Sequence, residues 1–100
     1  MYTPWGKSDS KVVLAEGVVS YSTPSHGGIW LSQERIDHLP AGIDNFVHDL
    51  RWWEEDCDWV VPYILFKDDI QKHGTAYKFI ENLSAAYSIS KHTHPEILAS

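Results

Sequence analysis

Two short runs of β-branched residues that flank one glycine constrain the fold of this chain more than any other feature. The sequence KVVLAEGVVSYST carries residues 12–14 before the Glu16-Gly17 pair and residues 18–21 after it. Gly17 can adopt the positive φ of a tight reversal, so the segment is predicted to form a β-hairpin. After a break at Pro24, the sequence GGIWLS predicts a third strand.

The middle of the chain allows two interpretations. A helix over residues 53–61 would turn Trp53 and Cys57 toward a core, because apolar residues recur there at spacings of three and four. Alternatively, DWVVPYILF forms a buried edge strand, because Pro62 is unfavourable inside a helix and is tolerated at a sheet edge. We favour the helix.

Two further helices have recognisable beginnings. Ser32 is predicted to be the N-cap of a short helix in QERIDHLP, which Pro40 ends. Thr75 is predicted to cap a last amphipathic helix with Phe79 and Leu83 on its apolar side. Strands followed by helices indicate an α+β fold, in which a small antiparallel sheet of three or more strands is covered by two or three helices.

Length and charge limit the classes of function. A chain of 100 residues is expected to form one domain over residues 1–100, with residues 91–100 as a lightly docked or frayed tail. The net charge of −6 and the scattered basic residues argue against direct nucleic-acid binding. The single Cys57 fits a reducing compartment. Neither a membrane span nor a signal peptide is recognisable, so we expect a cytosolic protein.

Three sequence blocks carry a resemblance to a known family. They are TPWG near the start, STPSHGGIWLS in the middle and WWEEDCDW further on. Their order and spacing resemble an uncharacterised family of small proteins from phages, prophages and conjugative plasmids, whose pattern is TPWG, STxSHGGxxLS and WYEEDCDW. The resemblance implies a mobile-element context in a bacterial host, and it assigns no reaction.

The SHGG block has two interpretations. Two glycines after His26 could turn several N–H groups into a concave nest that binds a small anionic or nucleotide ligand. The alternative is a simple turn between strands. The motif is weak as a phosphate site, because no P-loop lysine follows it.

The EEDCD block also has structural and functional interpretations. Its acids could be solvated, could contact a partner, or could serve a small hydrolase in which His26 works with Glu54 or Asp56. Cys57 is expected to be a buried thiol, since the surrounding acids raise the pKa of a thiol and so reduce its reactivity. The five tryptophans exceed what so small a core can bury, and exposed indoles are frequent in binding hot spots.

We therefore expect a non-enzymatic binding protein without metal or cofactor. Its partner would be a host protein, such as a subunit of a defence complex that the chain antagonises in the manner of an anti-CRISPR inhibitor. The residues predicted to contact the ligand or partner are Ser25, His26, Gly27, Gly28, Trp30, Trp52, Glu54, Glu55, Asp56, Asp58 and Trp59. The hypothesis requires residues 25–28 and 52–59 to lie side by side.

Overall fold

Six strands and four helices follow one another in the part of the chain that the structure, a computed structural model, describes: residues 2–24, 26–43, 49–54 and 58–93. The strands are β1 (Tyr2–Thr3), β2 (Gly6–Lys7), β3 (Ser10–Ala15), β4 (Val18–Ser22), β5 (Gly27–Leu31) and β6 (Trp52–Glu54). The helices are α1 (Gln33–Asp37), α2 (Val60–Leu65), α3 (Lys67–His73) and α4 (Phe79–Thr93). The predicted α+β class is confirmed.

The main sheet grows from the predicted hairpin. Strands β3 and β4 pair antiparallel around Gly17, whose φ of 79° is the left-handed conformation that the reversal requires. Strand β5, predicted from GGIWLS, adds to β4, and β6 adds to β5, so the order is β3-β4-β5-β6. Strands β1 and β2 form a separate two-stranded ribbon.

The two faces of the main sheet have different roles. Ile29 lies opposite Trp53 in the register of β5 and β6, and both side chains are buried with Val60 of α2 and Ile70 of α3. That face carries the core under the helices. Because side chains alternate along a strand, the next pair in the register, Trp30 opposite Trp52, lies on the other face.

Helix α1 begins where the sequence predicts. The Ser32 hydroxyl accepts a hydrogen bond from the Arg35 N–H at 3.3 Å, which satisfies one of the free donors of the first turn. Its carbonyl accepts from the Ile36 N–H at 3.0 Å. The helix ends at Asp37, before Pro40.

The predicted helix over residues 53–61 is confirmed at residues 60 and 61 and is wrong at residues 53 and 54, and the alternative strand in DWVVPYILF is wrong. Trp53 lies in β6, and helix α2 begins only at Val60. Pro62 is the third residue of α2, where an N–H has no partner within the helix, so a proline costs little there. The apolar residues recur at helical spacing because Trp53 in β6 and Val60 in α2 face the same core, although they belong to different elements. Cys57 lies outside the described residues.

The predicted cap at Thr75 is also wrong. Helix α4 begins at Phe79, and the Thr75 hydroxyl instead donates to the Val13 carbonyl on the outer edge of β3. Gly74 is a loop residue, as predicted, and ends α3 in a left-handed conformation at φ 81°. Lys91 and His92, at the start of the predicted tail, belong to the last turn of α4.

None of the helices in the described ranges is long and apolar enough to cross a membrane.

Candidate functional site

The TPWG block forms a tight turn that fixes the position of Trp5. The Thr3 hydroxyl donates to the Gly6 carbonyl at 2.8 Å and accepts from the Trp5 N–H at 3.2 Å. These bonds close the turn between β1 and β2. The Trp5 indole then meets Trp52 edge to face, with ring centres 5.7 Å apart and planes at 87°.

Gly28 is the point at which the Trp5 indole contacts the main sheet. A Cβ atom at Gly28 would overlap both the Trp5 ring and the carbonyl oxygen of Trp53. The second glycine of SHGG therefore gives the indole room to lie on the strand. This contact joins all three sequence blocks, because Trp5 belongs to TPWG, Gly28 to SHGG and Trp52 to WWEEDCDW.

Trp30 extends the aromatic contact across the sheet. It lies opposite Trp52 in the register, and the Arg51 guanidinium stands 5.8 Å from its ring centre. Tyr21 touches Trp52 from β4, with ring centres 5.7 Å apart. Trp5, Trp30 and Trp52 are each half-buried, so part of every indole reaches solvent. We call these three residues the indole surface.

The SHGG loop has the geometry of a turn at its described residues. The Thr23 hydroxyl donates to the His26 carbonyl at 2.8 Å and accepts from the His26 N–H at 3.0 Å. Gly27 and Gly28 are extended and pair with Ser22 and Tyr21, rather than adopting the alternating conformations of an anion nest. His26 is exposed, and Ser25 lies outside the described residues. A ligand at this loop stays a prediction.

The acidic block EEDCD begins at Glu54, the last residue of β6. Glu54 lies opposite Gly28, so the SHGG and EEDCD blocks are neighbours at their described residues. The Glu54 carbonyl accepts from the Asp58 N–H at 3.0 Å and from the Trp59 N–H at 2.8 Å, which turns the chain toward α2. Glu55 and Asp56 lie outside the described residues, so the predicted pairing of Asp56 with His26 stays a prediction.

The predicted site residues divide between two sides of the sheet. Gly28, Trp30, Trp52 and Glu54 share the face that carries the indole surface, since they pair in register. Trp59 instead meets Tyr63 of α2, with ring centres 5.4 Å apart, on the side of the helices. The expected single patch over residues 52–59 is therefore wrong for Trp59.

Trp5 and Tyr21 contact the Trp52 ring but are not among the predicted site residues. The signal for Trp5 is present in TPWG, since Pro4 and Gly6 stand at the second and fourth positions favoured in a type I turn. Tyr21 has only the alternation of its strand as a signal.

Apart from the indole surface, a concave region lies where the Glu16-Gly17 turn, α1 and α3 meet. It measures about 690 Å³. Arg35 fills one side of it, donating to the Asp69 carboxylate at 2.6 Å and to the Glu16 carbonyl at 2.8 Å, with its guanidinium 5.0 Å from the centre of the Phe66 ring. The hydrogen bond and positive charge of Arg35 lower the pKa of Asp69.

The family to which this chain belongs is identified by a match over nearly its whole length. The family described as a domain of unknown function, DUF7007, matches residues 1–99. The chain belongs to this family. The DUF7007 match includes all three blocks that meet at Gly28, so it agrees with the predicted membership of an uncharacterised family. No curated protein and no solved structure was found to match the DUF7007 chain.

The described residues of this DUF7007 chain offer no group of three or more histidine, cysteine, aspartate or glutamate side chains that could hold a metal ion. What they offer chemically is a broad aromatic area next to a carboxylate. Indole faces supply contact area with little conformational freedom to lose, and Glu54 supplies negative charge at their border.

The Arg35–Asp69 ion pair predicts how the stability of this DUF7007 chain depends on pH. The pKa of Asp69 is lowered from 3.8 in the folded state, so its stabilising effect is complete above that value and is lost as the pH falls through the folded pKa. Asp69→Asn removes the effect. We expect this variant to be less stable than the wild type at neutral pH, and the difference to shrink in acid.

Urea unfolding at about pH 7 and about pH 3 measures this difference. Asp68→Asn is the matched control, because Asp68 also lies in the first turn of α3 but makes no ion pair with Arg35. The prediction would be contradicted if Asp69→Asn and the wild type differed by the same free energy of unfolding at both pH values.

Proposed function

We propose that this DUF7007 chain is a binding protein of mobile-element origin that antagonises a bacterial defence system through protein–protein contact. The observation that carries the proposal is the indole surface, in which three half-buried tryptophans adjoin one another on the sheet face opposite the core of the described residues. Tryptophan is strongly enriched among the residues that dominate binding energy at protein interfaces.

Charge supports a basic partner. Glu54 borders the indole surface, since it shares the face of Trp52 two residues along β6, and the whole chain carries a net charge of −6. Opposite potentials on two proteins accelerate their association and disfavour wrong partners. Defence complexes that hold nucleic acid expose basic surfaces, so an inhibitor of the anti-CRISPR kind would fit this chemistry. Its place of action would be the bacterial cytosol.

Phage plating on defence-carrying host strains tests the proposal. The chain is expressed in strains that each carry one defence system, and expression is expected to raise plating on at least one of them. Purified components of that system then serve to identify the partner and to measure its dissociation constant. Unchanged plating on every strain would contradict the proposal.

Two variants locate the contact once a partner is identified. Trp30→Ala is expected to weaken binding by about 2 kcal/mol, or about thirtyfold, as removal of a hot-spot indole does. Glu54→Lys reverses the charge at the border of the indole surface. It is therefore expected to weaken binding more at low salt than at high salt. Surface plasmon resonance at two salt concentrations measures both effects.

Matched controls separate contact from stability. Ile80→Ala removes an exposed apolar side chain of α4, and Glu81→Lys makes the same charge reversal on that helix, away from the indole surface. Both should bind as the wild type does. If the controls lose as much affinity as Trp30→Ala and Glu54→Lys, the indole surface is not the contact.

A further inference from the structure

Another concave site lies between the main sheet and helices α2 and α4, on the face of the sheet that carries the core. Its volume is about 330 Å³, at the lower end of the range for small-molecule pockets. Val12 and Ile29 of the sheet form one wall, and Trp59, Tyr63 and Tyr77 form the other. We call this site the tyrosine cleft.

The described lining of the tyrosine cleft carries no charged side chain. It combines apolar side chains and aromatic rings with the hydroxyls of Ser20 and Ser22 and the amide of Asn82. An ionised ligand would lose its hydration in such a site without gaining an opposite charge. The lining therefore favours a neutral ligand with an aromatic ring.

The Tyr63 hydroxyl is the unexplained polar group of this site. Tyr63 is only 4% exposed, and its hydroxyl makes no hydrogen bond to any residue in the described part of the chain. The Asn82 side chain is near enough to lower the pKa of Tyr63, but it lies outside hydrogen-bond geometry with the hydroxyl, and its amide N–H donates instead to the Tyr77 carbonyl at 2.7 Å. A buried hydroxyl without a partner costs about 1–3 kcal/mol, so a ligand that supplies an acceptor would recover that energy.

Protonation and access both suit this role. Burial raises the pKa of Tyr63, and the neighbouring Asn82 offsets part of the rise, so the hydroxyl keeps its proton at neutral pH and is available to donate. Asn82 and Tyr77, which line the same cleft as Tyr63, are exposed, with Tyr77 at 78%. A ligand in the cleft would reach the hydroxyl by displacing the side chains of Asn82 and Tyr77, which both line the cleft.

We propose that the tyrosine cleft binds a small neutral aromatic molecule whose carbonyl or ring nitrogen accepts a hydrogen bond from the Tyr63 hydroxyl. The ring packs between Ile29 and Trp59, and the acceptor points toward α2. None of the three tryptophans of the indole surface lines the tyrosine cleft, and the proposal does not depend on the proposed function.

Three related probes test the chemistry. Benzamide has a ring and a neutral acceptor, benzoate has the same ring with a charge, and toluene has the ring without an acceptor. The indole N–H signal of Trp59 reports on the cleft in a ¹H–¹⁵N spectrum, and that of Trp52 reports on the opposite face. Benzamide is expected to shift the Trp59 signal at millimolar concentration, and benzoate to bind at least about tenfold more weakly.

Tyr63→Phe tests the hydroxyl itself. The variant keeps the ring and removes the group without a partner, so it should fold at least as stably as the wild type. It is expected to bind benzamide about five- to tenfold more weakly and to bind toluene unchanged. Tyr87→Phe in α4, outside the cleft, is the matched control and should bind as the wild type does.

Three results would overturn the proposal. They are equal binding of benzamide and benzoate, undiminished binding of benzamide by Tyr63→Phe, and shifts at Trp52 in place of Trp59. The first would mean that the cleft does not select neutral molecules, the second that the hydroxyl does not donate, and the third that the ligand lies elsewhere.

Discussion

Gly28→Ala is expected to destabilise the fold by about 1–3 kcal/mol and to release the Trp5 indole from the sheet. The added methyl group would overlap the Trp5 ring and the Trp53 carbonyl oxygen. The carbonyl belongs to the backbone of the neighbouring strand and cannot move without weakening the pairing of β5 with β6. The indole can move, and it then leaves Trp52 more exposed.

A double-mutant cycle with Trp5→Ala separates these two overlaps. If the indole carries most of the cost, Gly28→Ala will cost less in the Trp5→Ala background than in the wild type, and the coupling energy will be large. If the backbone overlap dominates, the two substitutions will add. Urea unfolding measures the cycle, and a red shift of the tryptophan emission reports the exposed rings.

The outcome also decides between two interpretations of the SHGG block. Gly28 as packing space predicts a loss of stability, whereas a glycine needed only for a ligand would predict a stable protein that no longer binds. A Gly28→Ala protein as stable as the wild type would contradict the contact between Trp5 and Gly28.

Local signals were sufficient to predict the first half of the sheet and the first helix. The hairpin follows from β-branched runs on both sides of Gly17, and α1 follows from the hydroxyl of Ser32. In each case the residues that decide the structure are within a few positions of one another. Strand β5 followed from the short apolar run of GGIWLS after the break at Pro24.

Long-range pairing explains what the sequence did not predict. Strand β6 has three residues, too few for a periodic signal, and it exists because β5 offers a free edge to pair with. Thr75 has the chemistry of a helix cap, but its hydroxyl reaches Val13, which is distant in sequence. Neither the pairing of β6 with β5 nor the hydrogen bond from Thr75 to Val13 can be read from a short stretch of sequence.

The same limit applies to the candidate site. The adjacency of SHGG and EEDCD was a hypothesis that no spacing could establish, and the structure supports it through Gly28 and Glu54. The division of the tryptophans between two faces depends on which residue of β6 pairs with Ile29, since a shift by one position exchanges the faces. Trp5 joins the site only through the separate ribbon.

Trp53→Ala is expected to be the most damaging single substitution, with a loss of about 3–5 kcal/mol. The Trp53 side chain is 0% exposed, and its indole N–H donates to the Leu50 carbonyl at 2.8 Å. Removal of the ring leaves a large cavity under α2 and frees that carbonyl. A small domain has only about 5–15 kcal/mol of stability, so this loss lowers the melting temperature by about 15 °C or more.

Trp52→Ala is the matched control, because it removes the same side chain from the same strand on the other face. Trp52 is half-buried, so its loss should cost clearly less than that of Trp53. Thermal unfolding by circular dichroism compares the two variants. A greater loss for Trp52→Ala would mean that the core lies on the face of the indole surface.

Loss of partner binding in a β6 variant can come from unfolding of the strand as well as from loss of a contact. Strand β6 supplies both Trp52 and Glu54, so a collapse of β6 in Trp53→Ala would abolish partner binding without any contact by Trp53. Trp52→Ala keeps β6 paired with β5 and should weaken binding at a temperature where the protein stays folded. A binding defect counts as evidence for the indole surface only when the variant unfolds well above the temperature of the assay.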